Sequence, residues 1–404
     1  MGTGALEAKQ TGGHDAHLPG PIGLWSLLLS SIFPMLGLFA LGPALPRVAA
    51  AFSADPNAEV LAQLIGGASG ISFALSSPII GGMIGRWGYK PVYVVSLLAF
   101  AAFGTVPALL HSLPLILLTR VLLGVCVAGA FTAGLAGIGT LDATQRPRMY
   151  GRNAMLSSVG AMAIFPAVGA LSTIGWRLPF LIHLIALAVV PMAMTLPSKP
   201  VATAQAHAHA HAPTGHGLGV APVLLVLAAF MGLAMYVGPM FAPFYLKTIG
   251  VTDPRLAALP LSGMSLAALI VTGNFGRLYA RFGARTLFAA TLVLTGLGLL
   301  AAGLAPSLPA FAAAMFVVSG GLAMFAPNVS AHIAATSTNF ARGIGLAMSA
   351  MFAVQVAFPF LARAISQAVG PASVFHIFGG CALVAGIGTV ALARRTIRPA
   401  ARTA

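Results

Sequence analysis

"GGMIGRWGYKP", residues 81–91, stands between two long apolar runs, and a related phrase, "GRLYARFGART", returns at residues 276–286. Glycine and cations in such a place read as a turn between two helices. Gly81, Gly88, Gly276 and Gly283 permit a tight turn and close helix approach. Arg86, Lys90, Arg281 and Arg285 hold the turn on one side of a membrane. The phrases lie about 195 positions apart in a chain of 404 residues. A repeat at that distance predicts two structurally related halves.

The composition agrees with a membrane reading. Hydrophobic residues make up 58% of the chain and charged residues 7%, whereas a soluble domain carries roughly 25% charged residues. A spanning helix takes about 20 apolar residues, because lipid offers the backbone no partner outside the helix. Twelve apolar stretches follow one another: 22–45, 58–84, 91–110, 113–137, 150–173, 177–195, 219–246, 256–280, 285–304, 307–331, 342–366 and 371–393. The longest gap, "LPSKPVATAQAHAHAHAPTGHGL" at 196–218, cannot bury a core and reads as a linker. The expected fold is an all-α membrane protein with 12 transmembrane helices in two six-helix bundles. The expected organisation is a disordered tail over 1–21, a bundle over 22–195, the His-rich linker, a bundle over 219–393 and a basic tail over 394–404.

The net charge of +15 does not make a nucleic-acid binder, because the basic residues sit singly or in small groups between apolar runs. Of 21 Lys and Arg residues, fifteen fall in one set of connections and tails, five in the other, and Arg120 lies alone inside a span. This asymmetry places both termini and the linker in the cytoplasm. The first twenty residues are polar and Gly-rich, without the basic region and short apolar core of a cleavable signal peptide. Cys126 and Cys381 both lie in apolar runs and read as small core residues. His207, His209, His211 and His216 fall in the linker, where nothing orders them into a ligand set. No metal site and no cofactor is assigned.

With these motifs in place, the chain resembles the major facilitator superfamily over nearly its whole length. The family signature between helices 2 and 3 is G-x-x-x-D-R-x-G-R/K-R/K. Gly81, Arg86, Gly88 and Lys90 match it, and Gly276, Arg281, Gly283 and Arg285 match it in the second copy. "RVLLGVCVAG" from Arg120 is similar to the helix-4 motif with an intramembrane arginine. "FPAVGA", with Pro166 and Gly169, resembles a degenerate helix-5 motif of exporters, and "GWRLPFLIH" resembles the helix 5–6 junction of twelve-helix drug exporters. The resemblance implies two bundles rocking around a central cavity in the inner membrane of a bacterium. It also implies a cytoplasmic gate at the two signature phrases. The chain departs from the pattern at the signature Asp, where Gly85 and Ala280 stand. A cytoplasmic latch is thereby weakened or built differently.

Only six residues are acidic, and none falls deep inside a span. Proton coupling through a buried carboxylate is therefore not evident, and His183 and His376 are the titratable candidates. Arg120 is the sharpest feature, because a charge at membrane depth costs about 2.5–3.5 kcal/mol on insertion scales. It reads as a substrate or coupling group, with a structural tie to carbonyls as the alternative. Gln355, Asn328, Asn274 and Tyr236 are the further cavity candidates, against plain helix–helix hydrogen bonds or packing.

No nucleophile–base pair or phosphate-cradling loop stands out, so an enzyme is not expected. The leading expectation is a secondary transporter that exports small organic or amphipathic compounds, as an efflux antiporter. The expected partners are a small-molecule substrate, the lipid bilayer and protons as coupling ion, with the chain a monomer. Uptake of an organic anion by symport or uniport is the second reading. A transporter-like receptor that does not transport is the third.

Overall fold

A computed structural model describes residues 19–141, 145–197, 222–336 and 340–395. Every described element is helical. Ten helices are long and apolar enough to cross a membrane, with Leu178–Met194 a shorter apolar one. The longest, Pro254–Gly303, is two helices joined at Gly283. The twelve helices are α1 (Pro21–Ala51), α2 (Ala58–Trp87), α3 (Tyr89–Leu109), α4 (Leu113–Ile138), α5 (Arg146–Ile174) and α6 (Leu178–Met194) in the first half. The second half has α7 (Pro222–Thr248), α8 (254–282), α9 (284–303), α10 (Leu308–Thr336), α11 (340–369) and α12 (Ala372–Arg395). The expected tails and linker lie almost wholly outside the described residues, as does Asp142.

The two signature phrases fold alike. Gly88 is a single-residue joint between α2 and α3, at φ 84 and ψ 164. Gly283 joins α8 to α9 at φ 74 and ψ 164. That backbone region is essentially reserved for glycine, so the repeat is one of conformation as well as letters. Cations flank each joint, with Arg281 lying over the Phe282 ring at 5.4 Å.

The expected end of α1 at residue 45 falls short, because the helix runs on to Ala51. Pro43 and Pro46 sit at the first positions of short helical segments, Gly42–Ala44 and Leu45–Ala51. There a missing N–H removes no hydrogen bond. Both α1 and α7 carry a wide π turn, Met35–Phe39 and Val237–Phe241, at corresponding places in the two halves. Such turns often mark functional segments.

Apolar side chains fall into two populations. Leu75, Val95, Leu118, Val226, Val384 and Ile387 are exposed, as lipid-facing residues must be. Cys381 is exposed on α12, so the sequence reading of it as a core residue is corrected, while Cys126 is buried as expected. The buried residues form three clusters. One is built almost entirely from α1–α6, including Phe33, Tyr93, Phe100 and Val127. Another lies within α7 and α9–α11, around Met231, Phe325 and Val329. The third joins both halves, with Leu41, Leu45 and Ile65 packed with Phe241, Phe358 and Phe375. The halves therefore share one core at a single end.

Candidate functional site

The shared end lies opposite the signature phrases. There Arg363 of α11 donates to Asn57 Oδ1 at 2.6 Å, and Lys247 of α7 donates to the Pro46 carbonyl at 3.3 Å. Arg255 of α8 donates to Thr173 Oγ1 at 3.2 Å. Small residues let the backbones close on each other. A side chain at Gly42 would collide with the Pro239 carbonyl, and a Cβ at Gly169 would lie 2.6 Å from the Pro254 carbonyl. Gly169, one of the two expected helix-5 motif residues, thus sits in the seam between halves. Pro166 lies inside α5 one turn earlier.

At the signature end, a Cβ at Gly81, Gly82, Gly85, Gly273 or Gly276 would meet nothing within 4 Å. Among the described residues, no side chain or backbone of the other half therefore closes on these glycines. The edge contact of Phe73 with Phe352, at 5.6 Å between ring centres, still bridges α2 and α11.

Between the closed end and the open end lies a cavity of about 280 Å³. Pro34, Met35 and Phe39 of α1 and Ser157, Ser158, Ala161 and Phe165 of α5 form one wall. Met235 and Pro239 of α7, Leu261, Met264, Ser265 and Ala268 of α8, and Ser319 of α10 form the other. Both halves contribute, both π turns contribute, and no lining residue carries a charge. Three thioethers and two phenyl rings make a soft, adaptable apolar surface. The hydroxyls of Ser265 and Ser319 are spent within the protein, on the Leu261 carbonyl at 3.1 Å and the Met264 carbonyl at 2.6 Å.

None of the six cavity candidates named from sequence lines this space. Arg120 is 1% exposed, between α4, α3 and α6. Its Nη2 donates to the Phe103 and Gly104 carbonyls at 2.9 Å each, and its guanidinium lies 5.2 Å from the Phe180 ring centre. Helix carbonyls and a ring face thus meet Nη2, as in the structural alternative named from sequence, while Nε and Nη1 are buried without a hydrogen-bond partner among the described residues. His183 is fully buried, with Nδ1 2.8 Å from the Phe180 carbonyl and its ring against Gly104. Asn328 donates to the Ala284 carbonyl at 2.9 Å, bracing the backbone just after the Gly283 joint. Asn274 is exposed on α8, bonded to the Ile270 carbonyl at 2.8 Å and approached by Arg277.

Tyr236 and Gln355 do come together, in the seam rather than in the cavity. Tyr236 Oη donates across the halves to the Gly67 carbonyl at 3.3 Å, between the Phe39 and Phe358 rings. Gln355 is fully buried, and its amide oxygen and the Tyr236 hydroxyl both face Gly70. Gly67 and Gly70 give α2 the flat face that admits them, and Gly66 beside them admits Met240.

Sequence reasoning missed the cavity serines, the methionines and Asn153. Asn153 of α5 donates to the Leu28 carbonyl at 2.8 Å and to Ser30 Oγ at 3.1 Å, and its own carbonyl accepts from Ser31 Oγ. It fastens α5 to the irregular turn Leu29–Ser31 of α1. The paired serines of "MLSSVG", beside a buried asparagine, were the available signal.

The sequence profile of the Major Facilitator Superfamily matches residues 27–274 and 223–404. Solved structures share the fold at low identity. A D-xylose-proton symporter aligns at TM-score 0.73 and 17% identity, over 91% of this chain and 95% of that one. The nucleoside transporter NupG aligns at TM-score 0.68 and 15% identity, over 92% and 99%. The xylose transporter XylE from E. coli, in a partially occluded inward-open state, aligns at TM-score 0.68 and 16% identity, over 95% and 98%. No curated protein sequence matches the chain.

Proposed function

Because this chain belongs to the Major Facilitator Superfamily, a family of non-enzymatic membrane transporters, we propose that it moves a small uncharged, mainly apolar organic compound across the membrane by alternating access. The observation that carries this reading is the cavity between the two π turns, walled by both halves and free of charged side chains. Cationic cargo needs a carboxylate and anionic cargo needs a cation, and the lining offers neither. Arg120, the reason for considering an organic anion, is held by α3 carbonyls away from that space.

The two signature phrases serve as the cytoplasmic gate in this reading, through Gly81, Arg86, Gly88, Lys90, Gly276, Arg281, Gly283 and Arg285. The conformation is then inward-facing, with both termini and the linker over 196–218 in the cytoplasm, as the Lys and Arg distribution supports. Tyr236 and Gln355 act in the seam that closes the far side. Export is the favoured direction, supported by the helix-5 resemblance around Pro166 and Gly169. The membrane is the inner membrane of a bacterium, and a monomer suffices because one chain supplies both walls of the cavity.

The test is compound accumulation in a host stripped of its main efflux pumps, with wild type compared with Met264→Trp, which fills the cavity. Neutral apolar compounds should accumulate less with wild type, and the difference should vanish in the variant. Higher accumulation with wild type reverses the direction to uptake. A preference for anions overturns the uncharged-cargo reading. No difference for any compound class favours a receptor-like protein that does not transport.

A further inference from the structure

The cavity lining contains four serines, and they are not equivalent. Ser265 and Ser319 donate to main-chain carbonyls, as serines on apolar helices commonly do. Ser72, Ser76 and Ser172 elsewhere in the bundle do the same. The hydroxyls of Ser157 and Ser158 find no partner among the described residues, although both line the cavity. For Ser157 the reason is visible. Its natural acceptor, one turn back, is the Asn153 carbonyl, and Ser31 Oγ of α1 already donates to that oxygen. The contact that fastens α1 to α5 therefore occupies the acceptor that Ser157 would otherwise use.

We propose that Ser157 and Ser158 are the polar anchor of the cavity, binding a single hydroxyl, carbonyl or amide group of an otherwise apolar cargo. The inference rests on the reading of this cavity as the cargo site. A serine hydroxyl donates one hydrogen bond and accepts others, so the pair holds either a donor or an acceptor on the cargo. Met35, Met235, Met264, Phe39 and Phe165 surround the remainder of the molecule. The chemical class is that of a phenol or an aryl alcohol: one hydrogen-bonding head on a hydrocarbon body. A site built around polar groups discriminates sharply against an isostere that lacks the matching group, because its own groups are then left unpaired.

The experiment measures binding of two fluorescent probes of similar shape, 1-naphthol and 1-methylnaphthalene, to the purified full-length chain in nanodiscs. Binding to Met264→Trp supplies the lipid-partition background. Wild type should prefer 1-naphthol by about tenfold. The Ser157→Ala/Ser158→Ala double variant should lose about fivefold or more of that preference, with its affinity for 1-methylnaphthalene unchanged. Ser157→Thr and Ser158→Thr keep the hydroxyl and should keep the preference, which separates anchoring from folding. A preference that survives the double alanine variant overturns the anchor, while binding that is still blocked by Met264→Trp leaves the cavity reading standing. Probe signals that are the same in wild type and Met264→Trp overturn the cavity reading itself.

Discussion

Arg120 shows how far a single side chain can be read while its neighbours are unknown. A guanidinium at membrane depth demands partners, and the composition contains no intramembrane carboxylate to serve. That much is legible in the sequence. Which partners it finds depends on the face of α4 that carries it, and α3 carbonyls and Phe180 take the role. Arg120→Ala should lower Tm, because charge-assisted hydrogen bonds contribute roughly 1.5–3 kcal/mol. It should leave the ranking of transported compounds unchanged, which paired melting and accumulation measurements will show. Asn153 is the opposite lesson: an amide on an apolar helix with nothing conspicuous around it in sequence, yet one that ties α5 to α1. Asn153→Leu removes the donor to the Leu27 and Leu28 carbonyls and to Ser30 Oγ. A loss of about 1–2 kcal/mol, in the range of intramembrane hydrogen bonds, should appear as a lower Tm. An unchanged Tm would show that the turn holds itself.

At the scale of the helix, glycine positions divide into two kinds with different expected behaviour. Gly88 and Gly283 are joints whose positive φ excludes other residues. Alanine at either should cost about 1–3 kcal/mol, read as reduced folded yield, and Asn should fare no better, because its tolerance is for the left-handed helical region and not for ψ near 164. Gly42 and Gly169 are contact points, where an added methyl meets main-chain carbonyls of the opposite half. Backbone cannot swing aside as a side chain does. Gly42→Ala and Gly169→Ala should therefore favour the conformation open at that end. A reporter cysteine placed at Asn57 should then label faster in both, whereas Gly81→Ala, which meets nothing here, should not change it. The joints were readable because a repeated Gly between cations has few explanations. The contact glycines were not, since closeness between α1 and α7 is a property of two distant segments. The same limit hid the cavity, because one sequence does not say which faces of twelve helices converge. It even gave the π turns no distinct signature, though Pro34 and Pro239 stand at or within them.

Across the whole molecule, hydropathy and the spacing of Lys and Arg carry the architecture, since lipid forbids unpaired backbone and leaves the chain little choice beyond helices. A helix count, a division between halves and an internal repeat all follow from that one constraint. Cargo chemistry does not, because it lives in a handful of side chains whose types are unremarkable. A cysteine pair joining the halves beside Arg255 and Thr173 should lock the protein in the present conformation and stop transport until reduced. A pair joining the two signature loops should trap the other conformation, and free transport with either bridge intact would argue against rocking halves. The seam opposite the signature loops has one more property. Among the described residues, three cations hydrogen-bond across it, all from the second half, and all three rest on neutral oxygens: an amide, a carbonyl and a hydroxyl. When that end parts, water takes the place of those three oxygens, and Lys247 also leaves the attraction of Glu59 on the first half. An empty carrier that turns around unladen is the expected consequence, and flux of cargo into liposomes that hold no counter-substrate is the measurement that checks it.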